Sequence, residues 1–129
     1  MNKFKKDYIE YIYKSDLTVL INYSQKKTKK YFLNNYKFIP EQLTVQNDAF
    51  SLHMVKETGE SKFIIWLERY DINVLVHELL HFTFQVLGDR GIKYCEESEE
   101  AFTYFLQGIF KRVTEDYQEL GNKPQKEIL

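Results

Sequence analysis

Two histidines four residues apart, with a glutamate beside the first, stand in the middle of this chain: His77, Glu78, Leu79, Leu80, His81. The run around them, Asp71 to Leu87, reads as a helix, and a four-residue step on a helix returns to the same face one turn on. Two imidazoles placed so can reach one metal ion, and zinc (Zn2+) is the usual occupant. Glu78 is positioned to hold a water on that metal and take its proton, which is the machinery of metal-assisted hydrolysis. Chance writes such a pattern about once in several hundred chains of this length. The helix is apolar around it, with Val74, Leu75, Val76, Leu79, Leu80, Phe82, Phe84, Val86 and Leu87. Burying two histidines and a glutamate there would be costly without partners. The plainer reading is a pair of core histidines bonded to backbone or carboxylate.

A catalytic zinc site takes three protein ligands and leaves one open position. After the first helix the chain reaches Gly88-Asp89-Arg90-Gly91, a turn in which Gly88 suits the helix stop. A second helix is expected from about Glu96 or Glu97, with acids Glu96, Glu97, Glu99 and Glu100 gathered where the helix dipole favours them. Phe102, Phe105, Leu106, Ile109, Phe110 and Val113 form its apolar stripe. Periodicity leaves Glu97, Glu99 and Glu100 open as the third donor. The plainer reading of the cluster is a solvated helix start.

His77-Glu78-x-x-His81, then eighteen residues, then Glu100 resembles the gluzincin metallopeptidases. The spacing is similar to that of the aminopeptidase N-like branch, whose third-ligand helix reads Asn-Glu-Gly-Phe-Ala-x-Tyr/Phe. Here the segment is Glu99-Glu100-Ala101-Phe102-Thr103-Tyr104-Phe105. The resemblance implies Glu100 as the third zinc ligand. The Gly-Ala-Met-Glu-Asn motif that anchors aminopeptidase substrates is absent from this chain, so aminopeptidase activity is not implied. The same block, with Asp89-Arg90-Gly91-Ile92, also resembles small bacteriophage and prophage zincin-like proteins. That likeness implies an α+β, zincin-like fold and a metal site more than any one activity.

With 129 residues, 43% hydrophobic and 16% aromatic, the chain suits one domain with a proper core. Residues 1–120 are expected to form it, and 121–129 a polar tail. The formal net charge of −1 gives no global support for nucleic-acid binding. The one basic run, Lys26-Lys27-Thr28-Lys29-Lys30, reads as a solvated helix face. Cys95 is the single cysteine, which rules out an intrachain disulfide and fits a reducing compartment. No leader-like or membrane-spanning apolar segment is legible, so the expected location is the host-cell cytoplasm, or a virion if the gene is a phage's.

Residues 3–14, with Phe4, Tyr8, Ile9 and Ile12, read as a short amphipathic helix. Leu17 to Tyr23 reads as a buried strand, and Gln25 to Tyr36 as a helix capped by Ser24. Ala49 to Lys56 and Lys62 to Glu68 alternate as the arms of a hairpin, and Asp71 is the expected N-cap of the histidine helix. The expected architecture is a three-stranded sheet packed on the histidine helix and on the glutamate-bearing helix after it. One strand edge near the site would be free to accept an extended peptide.

Two functions follow as expectations. One is a zinc metallopeptidase: His77, His81 and Glu100 hold the metal, Glu78 serves as general base, and Tyr104 is favoured over Tyr94, His53 and Arg90 for stabilising the oxyanion. Its partner is a peptide or protein substrate. The other is a phage virion structural or assembly protein on a zincin-like scaffold, with structural or vestigial zinc and other virion proteins as partners.

Overall fold

The structure, a computed structural model, describes residues 2–121. Four strands form one mixed sheet: β1 (Phe4–Ile9), β2 (Asp16–Ile21), β3 (Ala49–Val55) and β4 (Ser61–Leu67), in the order β1-β2-β4-β3. The two central strands, β2 and β4, run parallel, and each edge strand is antiparallel to its neighbour. Three helices complete the α+β domain: α1 (Gln25–Tyr36), α2 (Ile72–Asp89) and α3 (Glu99–Gly121). Helix α1 lies on one face of the sheet, and α2 and α3 lie on the other.

Strand alternation builds both layers. Leu17, Val19 and Ile21 of β2 and Phe63, Ile65 and Leu67 of β4 point toward α2 and α3, where they meet Leu75, Leu79, Phe82, Phe105 and Ile109. Leu20, Ile64 and Trp66 point the other way, against Phe32 of α1, Phe50 and Leu43. The central strands are thus covered on both faces, as parallel pairs require.

The first strand corrects the reading of residues 3–14 as a helix, and the sheet has four strands instead of three. Phe4 and Tyr8 are four residues apart, a step that keeps one face in a strand as well as in a helix. Both are buried. Lys6 shares their face and escapes burial at its tip by pairing with Asp116 of α3 at 3.0 Å. The chain then turns through Tyr11–Lys14 around Glu10, whose carboxylate accepts from the backbone N–H groups of Ile12, Tyr13 and Ser15.

The expected caps of α1 and α2 are present. Ser24 accepts from the Lys27 N–H at 3.1 Å, and Asp71 from Asn73 at 2.8 Å. The stop of α2 falls later than expected. Gly91, at φ +76°, takes the left-handed position, and the N–H groups of Gly91 and Ile92 bond back to Gly88 and Leu87. This double closure turns the chain sharply toward α3. Helix α3 runs through Gly121, with Tyr117 stacked on Tyr70 at 3.9 Å, so residues 117–121 belong to the packed domain. Of the polar tail expected over 121–129, Gly121 ends α3 and residues 122–129 lie outside the described residues. Among the described residues no helix is long and apolar enough to cross a membrane.

Candidate functional site

Helix α2 buries Leu75, Leu79, Phe82 and Val86 against the sheet and turns His77 and His81 to solvent. The two Nε2 atoms approach to 3.2 Å, with the ring planes at 79°. Two nitrogens bound at about 2.0–2.1 Å to one tetrahedral zinc stand roughly 3.3 Å apart. At this distance one imidazole donates to the other, and the pair also has a spacing compatible with two ligands of one metal. It is not a pair of core histidines, since both rings are exposed. The neighbouring Val76, Leu80 and Phe84 are also largely exposed, at 38, 43 and 44%. They form an apolar row beside the histidines, where the sequence alone suggested continuous core.

Glu78 lies about 100° further round the helix and is buried, 7% exposed. Burial raises the proton affinity of its carboxyl above the usual range, against the opposing pull of His77 and His81, and the charge of Asp48 raises it further. A carboxyl so disposed takes up a proton more readily than an exposed glutamate does.

Glu100 is exposed in the first turn of α3. It precedes Phe102 by two residues, about 200° round the helix. Phe102 rests on Phe84 of α2 at 5.0 Å, so Glu100 leaves α3 from the far side. Glu97 is exposed too, its carboxyl held below the usual range by a hydrogen bond from its own backbone and one from Cys95. Among the described residues no three His, Cys, Asp or Glu side chains form a group able to hold a metal. The structure thus brings together two of the three ligands that the resemblance implies, and does not bring Glu100 to them. The donor set fits zinc at two positions and is incomplete at the third.

The oxyanion candidates are scattered. Tyr104, one turn after Glu100 and 64% exposed, lines a cleft with Glu10, Tyr11, Ile12 and Arg112 on the β1 side of α3. Tyr94 packs against Phe84 and Phe102. Arg90 closes the end of α2 through its backbone and reaches the Tyr13 carbonyl with its guanidinium. His53 stacks on Phe63 at 4.5 Å, and its Nε2 lies 2.9 Å from the Ser61 hydroxyl, which donates to Asp89. The exposed Cys95 contacts Ser98 at the start of the acidic segment.

The edge strand nearest α2 is β3. Gln85 of α2 donates to the Ser51 carbonyl and accepts from the Ser51 hydroxyl, tying strand to helix. Sequence reasoning missed Asp48 at the head of β3, whose charge reaches Glu78 from a separate element. Nothing in the local pattern could have paired them. No family model, no curated protein and no solved structure matches this chain.

Proposed function

We propose that the chain is a zinc-dependent hydrolase of peptide bonds, with His77 and His81 as two arms of the metal site. The observation that carries this reading is the 3.2 Å separation of two exposed Nε2 atoms, one residue away from a buried carboxyl. The third donor would come from the acidic start of α3. The resemblance points to Glu100 for it, with Glu97 as the alternative, although the structure groups neither with the histidines. Zinc held there would supply Lewis acidity to a carbonyl and acidify a water. Glu78 would accept that water's proton and pass it to the leaving amine, for which its raised proton affinity suits it. The exposed row of Val76, Leu80 and Phe84 would take an apolar side chain of the substrate.

The test is cleavage of a mixed peptide library by zinc-loaded protein, with and without chelator, beside Glu78→Gln. Chelator-sensitive cleavage that Glu78→Gln abolishes while zinc is retained supports the reading. Cleavage that survives Glu78→Gln unchanged sinks it.

A second reading draws on the incompleteness of the ligand set. Two histidines beside an exposed apolar row also suit a face that assembles with a partner, as a virion component would, with the metal structural. Retained zinc, no cleavage of any peptide and co-sedimentation with virion proteins would favour it.

A further inference from the structure

The net charge of −1 conceals a strong segregation. Between Asn22 and Ile39 the chain carries five lysines and no acid, and most of that segment is α1. The fold adds to this run. Odd-numbered positions of the first strand face α1, so Lys3 and Lys5 are delivered to its flank from another part of the chain. The Lys5 ammonium sits 5.6 Å from the centre of the Tyr31 ring. Lys3 meets Lys27, whose ammonium is held below the ordinary lysine range by a hydrogen bond to the Lys3 amine and by its charge. Lys26 and Lys30, one turn apart, extend the patch along the exposed side of the helix. Among the described residues, none of Lys3, Lys5, Lys26, Lys27 and Lys30 has a carboxylate within ion-pairing reach. Asp7, on the same strand face, is engaged by the Thr18 hydroxyl.

Lysines crowded together without counter-charge repel one another and are relieved by an anion. We propose that this face, the outer side of α1 with the flank of β1, binds nucleic acid through its phosphate backbone. The outer row rises about 1.5 Å per residue, so Lys26 and Lys30 are about 6 Å apart along the helix axis. A nucleic-acid backbone carries one negative charge per nucleotide and can offer a phosphate to each of them. The partly exposed Tyr31 ring between the lysines offers a surface on which a base can stack. An anionic membrane suits the face less well. A basic helix at a bilayer inserts its apolar side, and here that side, with Phe32 and Thr28, is buried against the sheet. Contacts confined to phosphate and a ring face imply binding without sequence preference.

The experiment is fluorescence anisotropy of a labelled single-stranded oligonucleotide, titrated with the full chain at several salt concentrations. Wild type and a Lys26→Gln, Lys27→Gln, Lys30→Gln triple variant are compared, with circular dichroism as the check on fold. These three side chains are exposed, and glutamine keeps the helix propensity. Wild type is expected to bind at low salt, with log affinity falling by about 2–3.5 per tenfold rise in salt, as neutralising three to five phosphates of a single strand requires. The triple variant is expected to lose about tenfold or more in affinity and to shallow that slope by about 2. A Glu57→Gln, Glu60→Gln variant in the turn between β3 and β4 should bind at least as well as wild type. Three results would overturn the proposal: a folded triple variant that binds as wild type does, no oligonucleotide binding at the lowest salt, or lysine-dependent binding to phosphatidylserine vesicles without binding to the oligonucleotide.

Discussion

Two polar clusters of this domain, both charged or chargeable and both built on regular elements, are finished to different degrees. At Lys62 on β4 everything is satisfied. The side chain is buried, its ammonium donates to Asp16 at 2.8 Å and to Thr18 at 2.8 Å, and Thr18 donates in turn to Asp7. At His77 and His81 the two imidazoles meet only each other, Nε2 to Nε2 at 3.2 Å on an exposed helix face. A cluster that holds a fold together closes its own valences, because each unpaired group in the interior costs free energy. One that waits for a ligand stays open and sits where the ligand can arrive. Under the function proposed above, the histidine pair is the cluster that serves a ligand and the lysine cluster the one that serves stability.

Four substitutions put the contrast to the test, ordered by expected size. Lys62→Ala strands a buried hydroxyl and a partly buried carboxylate, and should lower the unfolding free energy by about 2–3 kcal/mol in urea titration. Asn22→Ala should cost about 2 kcal/mol. The buried Asn22 amide donates to the Asn2 carbonyl and the Tyr117 hydroxyl and accepts from the Tyr70 N–H, tying the end of β2 to both the N-terminus and α3. Asp116→Asn should cost about 1 kcal/mol, and it carries a pH signature. Burial raises the Asp116 carboxyl, but hydrogen bonds from Lys6 and Tyr8 and the charges of Lys6 and Arg112 outweigh it, and the group stays below its ordinary range. A depressed carboxyl contributes stability above its unfolded pKa and loses it as pH falls through the folded one. Wild type should therefore shed this increment on acidification below about pH 4, whereas Asp116→Asn should show a flatter acid limb. His77→Ala with His81→Ala, in metal-free buffer, should change stability by no more than about 0.5 kcal/mol, since exposed side chains without core contacts contribute little. A large loss there would move the pair into the structural class and break the contrast.

The elements around the candidate site were legible because local physics specifies them. Ser24 and Asp71 announce their helices by capping chemistry, and the alternation of Phe50, Leu52 and Met54 against Ser51 and His53 matches the two faces of β3. The first strand was not legible, because Phe4 and Tyr8 satisfy both periods and what decides the matter is the antiparallel pairing of Phe4–Ile9 with Asp16–Ile21, which periodicity within the segment does not report. The histidine pair could be read from spacing, but its exposure could not. Val76, Leu80 and Phe84 looked like core, and only the placement of α3 shows that they are left at the surface. The third ligand, Glu100 by the resemblance, is not grouped with the histidines in the structure. Residue spacing alone does not say which face of α3 meets α2, and in the structure that contact is made by Phe102 on Phe84. Net charge, finally, averaged away the lysine face that β1 and α1 build together.

Zinc titration against a competing chelator, for wild type, His81→Ala, Glu100→Gln and Glu97→Gln, tests the central claim most directly. The account predicts one zinc per chain for wild type, an affinity at least about 100-fold lower for His81→Ala, and a smaller loss for whichever glutamate supplies the third donor. Wild type that takes up no zinc, or His81→Ala that binds it as tightly as wild type, would contradict the account.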